Sequence, residues 1–113
     1  MLEMVIRNLI ANAIKFKKPE QQTAQVDLKF GIEEEKVHII VKDHGVGILQ
    51  DHVEQIFKMF FRGKDQMAGS GLGLYIVKEA LAKMNGSIDV HSSPGEGAEF
   101  HIIIPNMIGH EDE

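Results

Sequence analysis

Apolar residues recur along this chain with two different periods, and the order in which the periods alternate leaves few folds open. Between residues 2 and 18, Leu2, Val5, Ile6, Leu9, Ile10, Ala13 and Ile14 share one broad stripe at spacings of three and four. That predicts an amphipathic helix, ended by Pro19. QVDLKFGI then alternates Val26, Leu28, Phe30 and Ile32, which predicts a half-buried strand. Glu33, Glu34, Glu35 and Lys36 read as a solvated hairpin turn, and VHIIV as the return strand. After KDHGVGI comes a short helical piece at about residues 50 to 59, and the polar stretch RGKDQMAGSG reads as a mobile loop. GLYIVKEALAKMN predicts a second amphipathic helix with Leu74, Ile76, Val77, Ala80, Leu81 and Met84 apolar and Gly86 as its stop. SIDVHSS, the turn PGEG and AEFHIIIP form a last hairpin, and GHEDE is expected to fray. The sum is an α+β domain, a two-layer sandwich with helices on one face of a largely antiparallel sheet, over residues 1–105, with a disordered tail at 106–113.

A chain of 113 residues makes one domain, and it can bury roughly two-thirds of its unfolded surface without staples. Cysteine is absent, which excludes disulfides, zinc–thiolate sites and thiol catalysis. With 12 Lys plus Arg against 17 Asp plus Glu, the net charge is -5, and no basic cluster offers a seat for nucleic acid. No apolar run approaches the roughly 20 residues needed to span a bilayer, and the N-terminus lacks the make-up of a signal peptide. The expectation is a cytoplasmic domain that does not itself enter a membrane.

The first helix contains an oddity. Asn8 and Asn12 occupy its interior, where asparagine costs up to about 0.7 kcal/mol relative to alanine because its amide competes for backbone hydrogen bonds. With Lys15 they stand at i, i+4 and i+7, on one helical face, and Val5, Leu9 and Ala13 are expected on the opposite one. An amide oxygen is a hard, neutral ligand suited to Mg2+, and a lysine one turn on would neutralise a phosphate. The face reads as a seat for a metal-bound polyphosphate, although a solvated polar stripe would have the same pattern.

Seven of the 11 glycines fall in three clusters: Gly45 and Gly47, then Gly69, Gly71 and Gly73, then Gly95 and Gly97. The first cluster follows a strand, so Asp43 is expected at the strand's end with its carboxylate free to accept from an exocyclic amino group such as that of adenine. Gly45 and Gly47 would let backbone pass close to a flat base; a simple turn is the alternative. GSGLGL opens the second helix, where bare backbone N–H groups favour a phosphate. Its spacing matches neither the P-loop nor the dinucleotide fingerprint. PGEG reads as a turn.

Taken in order, Asn-x-x-x-Asn-Ala-x-Lys, Asp-x-Gly-x-Gly-Ile, a Phe-rich segment, Gly-x-Gly-Leu-Gly-Leu and Gly-x-Gly-x-x-Phe resemble the catalytic ATP-binding domain of sensor histidine kinases, the fold shared with gyrase, the ninety-kilodalton heat-shock chaperone and the mismatch-repair ATPases. The resemblance covers about residues 2 to 105. It implies a mostly antiparallel mixed sheet, ATP as ligand and Mg2+ held by Asn12. Asn8 would lie near metal and phosphates, and Lys15 would meet a phosphate. Asp43, Gly45, Gly47 and Ile48 would surround the adenine. Phe57, Phe60 and Phe61 match a Phe box beside an ATP lid, with Arg62 or Lys64 reaching phosphate and Gly69, Ser70, Gly71, Leu72, Gly73 and Leu74 cradling the phosphate chain. The sequence departs from the family by lacking a strand before the first helix: either it is a piece of a longer chain, or a sheet edge would be left open to swapping or to pairing with a second copy. Met59 replaces a common proline, and Ala98 a common threonine.

The hydrolysing relatives carry a glutamate four residues before the metal asparagine, and here that position is Asn8, which is no general base near neutral pH. The resemblance therefore implies a protein-histidine kinase catalytic domain: it would bind Mg-ATP and give up the γ-phosphoryl group to a histidine on a separate helical dimerisation domain, and through it to a response regulator. None of the chain's own histidines, His38, His44, His52, His91, His101 and His110, stands in a phosphoacceptor context, so the domain alone is expected to be inactive. A non-catalytic interaction module of the same fold and a self-sufficient ATPase are the alternatives.

Overall fold

A computed structural model describes residues 2–58 and 73–105. The elements run α1 (Leu2–Lys15), β1 (Val26–Ile32), β2 (Lys36–Asp43), α2 (Gln50–Val53), α3 (Gly73–Lys83), β3 (Ser87–Ser92) and β4 (Ala98–Pro105). The strands form one sheet in the order β1-β2-β4-β3, and every pairing is antiparallel.

Side-chain alternation assigns the two faces of the sheet. Ile39 and Val41 on β2 stand opposite Ile102 and Phe100 on β4, and these in turn stand opposite Ile88 and Val90 on β3. This face packs under α1 and α3, where Val5, Leu9, Val77, Ala80 and Leu81 close the core. The opposite face carries Lys42, Glu99, His101, Asp89 and His91.

Several expectations need correcting. α1 ends at Lys15 instead of reaching Pro19. The Phe16 N–H still bonds to Asn12 O, at 3.1 Å, but the Phe16 carbonyl has left the helix to accept the N–H of Val46 at 3.0 Å. The asparagine face is beside the buried stripe, not opposite it. Successive residues turn by about 100°, which puts Asn8 and Asn12 roughly a quarter-turn from Val5, Leu9 and Ala13, so both asparagines are half-buried. α2 has only four residues and continues as turns, with Gln55 N bonded to His52 O and Lys58 N to Gln55 O. Along those turns Ile56 joins the core and the adjacent Phe57 packs against it.

At the end of α3 the left-handed residue is Asn85, at φ 59°, not Gly86. Asn85 N bonds to Ala82 O and Gly86 N to Leu81 O at 2.7 Å, the paired closure of a Schellman cap. Gly86 is needed for a different reason: a Cβ there would stand 2.8 Å from the carbonyl of Ile103. Ile76 is 38% exposed. The largest departure is β1, where Phe30 is 62% and Ile32 73% exposed. Both lie on the helix-side face, opposite Ile39 and Val37, but at the margin of the helix layer. The expected mobile loop, residues 62–71, and the tail at 106–113 lie outside the described residues.

Candidate functional site

Asp43 is the last residue of β2, and its inward parity buries it to 5% exposure, the one buried charged side chain among the described residues. A buried carboxylate requires hydrogen-bond partners. Oδ1 has two, the backbone N–H groups of Gly45 at 2.9 Å and Ala98 at 3.2 Å. Oδ2 accepts none among the described residues. The carboxylate is therefore not free, as the sequence suggested, but half committed: one oxygen is fixed by the protein and the other can still accept a donor.

The glycines around it serve the chain itself. A Cβ on Gly45 would stand 2.2 Å from Phe16 O, and one on Gly47 2.1 Å from Ser93 O. Gly97 brings β4 against β2, since a Cβ there would stand 2.1 Å from Asp43 O. Gly47 at φ 80° and Gly97 at φ 81° also adopt backbone that a side chain would strain. The close approach foreseen toward a flat base is, at Gly45 and Gly47, an approach to protein backbone. It forms a three-way junction in which the loop after β2 is held between the end of α1 and the β3–β4 turn.

Ser92 ties this junction together, and nothing in the sequence marked it. Its hydroxyl accepts the N–H of Ile48 at 2.8 Å and donates to the carbonyl of Gly97 at 2.7 Å, while Gln50 Nε2 donates to its carbonyl. Gly95 N adds a bond to Val46 O at 2.7 Å. The only available signal was a serine at the end of an alternating strand, with only Ser93 between it and Pro94-Gly95, which also suits a turn.

Asn8 faces the other helix. Its Nδ2 donates to Met4 O at 2.9 Å, one turn back, so the competition that penalises a helical asparagine is settled inside α1. Its Oδ1 is thereby turned toward α3, 3.3 Å from where a Cβ on Gly73 would stand. Gly73 is the first residue of α3, an 11-residue helix whose amino end favours negative charge. Asn12 has no side-chain partner among the described residues, and Lys15 is exposed at the last turn of α1. Leu74 and Ile48 pack against the core. Phe57 meets Phe100 edge to face at 6.3 Å, and Lys78 Nζ stands 5.9 Å from the Phe57 ring. Phe60, Phe61, Arg62, Lys64, Gly69, Ser70, Gly71 and Leu72 lie outside the described residues.

Two chemically distinct ends result: a recessed carboxylate with one acceptor oxygen, and an amide oxygen beside a helix amino terminus. The bond from Val46 N to Phe16 O joins the element carrying one to the element carrying the other. Such an arrangement can accept from an amino group at one end and face an anion with its hard cation at the other.

Residues 1–108 match the family described as histidine kinase-, DNA gyrase B-, and HSP90-like ATPase. The chain is 35% identical to the sensor protein GacS of Pseudomonas syringae pv. syringae, over 99% of this chain and 13% of that one. It is also 35% identical to the aerobic respiration control sensor protein ArcB of Escherichia coli K12, over 91% and 14%. Among solved structures it resembles the mycobacterial sensor histidine kinase MprB, with TM-score 0.79 and 30% identity over 92% of this chain and 71% of that one. Full-length ShkA in complex with AMPPNP aligns with TM-score 0.77 and 33% identity, over 92% and 21%. The chain thus spans about an eighth of the length of these two sensor proteins.

Proposed function

The chain belongs to the family of histidine kinase-, DNA gyrase B- and HSP90-like ATPases, and from that premise we propose that it binds Mg-ATP and supplies the γ-phosphoryl group to a histidine on a separate helical dimerisation domain. The observation that carries the nucleotide reading is the half-committed Asp43. Oδ1 is locked by two backbone donors, which leaves Oδ2 to accept from the exocyclic amino group of adenine. Ile48, half-buried in the loop that follows, would pack on the base.

The residues at the other end fit a metal-bound phosphate chain. Asn8 Oδ1 is aimed away from its own helix by the bond its amide nitrogen makes, and the side-chain amide of Asn12, one turn on, has no partner among the described residues. Among the described residues no group of three or more histidines, cysteines or carboxylates could cage a metal, so Mg2+ would rest on Asn12 and on phosphate oxygens, with Asn8 and Lys15 close by. When bound, Mg2+ would neutralise phosphate charge and orient the terminal group. The amino end of α3, with Gly73 and Leu74, would face the phosphates.

Phosphoryl transfer demands mainly positioning and electrostatic stabilisation. Asn8, standing where hydrolysing relatives have glutamate, offers no base to activate water, so the γ-phosphoryl group would await another acceptor. No helix among the described residues is long and apolar enough to cross a membrane. We place the domain in the cytoplasmic part of a sensor kinase, with a response regulator downstream.

Calorimetric titration with a non-hydrolysable ATP analogue, with and without Mg2+, tests the reading. Binding that needs Asp43 and, with metal, Asn12 is expected. A folded chain whose binding ignores both Asp43→Ala and Asn12→Ala would overturn it. Adding an acceptor domain with and without its histidine then tests the transfer, and rapid phosphate release by the chain alone would favour an ATPase instead.

A further inference from the structure

His44 occupies the position directly after Asp43, with its side chain on the opposite side of the strand. Its Nε2 is 2.8 Å from Asp27 Oδ2 on β1. β1 and β2 stop pairing at Val26 and Asp43, so His44, one residue past the end of the ladder, reaches back to a residue within it. It crosses the outer face, away from the nucleotide side. The peptide that it anchors runs from Asp43 into Gly45, whose N–H holds Asp43 Oδ1 at 2.9 Å. The next residue, Val46, bonds to Phe16 O. The imidazole thus fixes from outside the same turn that presents the carboxylate inside.

We propose that His44 and Asp27 form a latch that positions the Asp43 turn, so that nucleotide affinity rises as the pH falls from about 8 to about 6. Histidine is the side chain whose charge ordinarily changes in that range. A protonated imidazole makes the stronger, charge-assisted bond to a carboxylate. Asp27 stays ionised throughout, because the hydrogen bond from His44 holds its carboxyl below its usual value. The sign follows: a lowered carboxyl is fully effective above its unfolded value near 3.8 and is lost only as the pH falls through the still lower folded one. The charged groups around the pair are Lys29 on β1, Lys42 on β2 directly opposite Asp27, and Glu99 on β4 beyond Lys42. Lysines titrate far above this range and glutamate below it. His101, whose Nε2 is 3.3 Å from Glu99, and His91, opposite Glu99, lie farther along the same face, so the part of the pH profile that belongs to His44 is the part lost in His44→Ala.

The latch rests on the nucleotide reading above, so its test uses two readouts. Affinity for a non-hydrolysable ATP analogue is measured at pH 6 and pH 8 for the wild type, His44→Ala, Asp27→Asn and the double variant, with Asp43→Ala as the reference. The ligand's own phosphate titration cancels in the ratios between variants. His44→Ala and Asp27→Asn are expected to weaken binding several-fold at pH 6 and less at pH 8, with the double variant no worse than either. Hydrogen exchange at the Gly45 and Val46 amides, measured without nucleotide, is expected to quicken in both single variants, again more at pH 6.

Equal losses at the two pH values, additive losses, or wild-type affinity in both single variants would overturn the latch while Asp43→Ala still abolishes binding. If Asp43→Ala binds as the wild type does, the nucleotide reading fails and takes the affinity claim with it. The exchange data then decide separately whether the pair holds the turn, and unchanged exchange overturns that as well.

Discussion

β1 and β4 are written in nearly the same pattern and meet opposite fates. Leu28, Phe30 and Ile32 alternate along one strand as Ala98, Phe100 and Ile102 do along the other, and both sets face the helix side of the sheet. Yet Phe100 is 1% exposed and Phe30 62%. Alternation tells which face a residue joins, because the pleat has a period of two. Whether that face is covered depends on where helices dock, and α1 and α3 sit over the middle and the β3 side of the sheet. β4 lies between two strands, and its lower end also carries the backbone amide that fixes Asp43. β1 is a margin joined to that machinery by its pairing with β2 and by the contact between Asp27 and His44.

The sharpest way to break this contrast is to remove both phenyl rings. Phe100→Ala should lower stability by about 3–5 kcal/mol in urea unfolding, and a loss as small as that of a surface substitution would mean that the two strands are equivalent after all. At the turn next to β4, Gly97→Ala forces a side chain into the carbonyl of Asp43 at a positive φ, and should cost about 2–3 kcal/mol by the same assay, with nucleotide affinity falling alongside. Ser92→Ala leaves the Ile48 N–H without its acceptor and should cost about 1 kcal/mol, visible as a modest drop in melting temperature. On β1, Phe30→Ala should change stability by less than about 0.5 kcal/mol. If β1 pairs with a second copy, Phe30→Lys should reduce self-association in sedimentation at high concentration; an unchanged monomer–dimer balance would remove that role from the edge.

The elements were legible where periodicity was strong. The two hairpins, the α3 stripe apart from Ile76, and the core residues Val5, Leu9 and Phe100 follow from the spacing of apolar residues. The place of Asp43 at the end of β2 was legible too, because the alternating run stops there and two glycines follow. What escaped was tertiary. The reach of the helices over β1 depends on packing between segments far apart in sequence. The early end of α1 depends on a loop 30 residues later, through Phe16 O and Val46 N. Ser92 could not be seen because its partners, Ile48 and Gly97, approach it only in the folded chain. The contacts of Gly45 and Gly47 with Phe16 O and Ser93 O escaped for the same reason: the sequence shows that close approach is needed, not which atoms approach.

The cap at the end of α3 has a bearing on chemical ageing. Asn85 is followed by Gly86, the pairing in which an asparagine amide is most easily lost, because the next backbone nitrogen can swing round and attack the side-chain carbonyl. Here that nitrogen donates its proton to Leu81 O at 2.7 Å, and the residue is packed against the Ile103 carbonyl. The attacking atom is therefore occupied for as long as the cap is closed. Deamidation at Asn85 should proceed slowly in the native protein and quickly in urea, so the acid form read by peptide mass spectrometry would record how long a sample has spent unfolded. Equal rates in the two conditions would show that the cap opens without the rest of the fold.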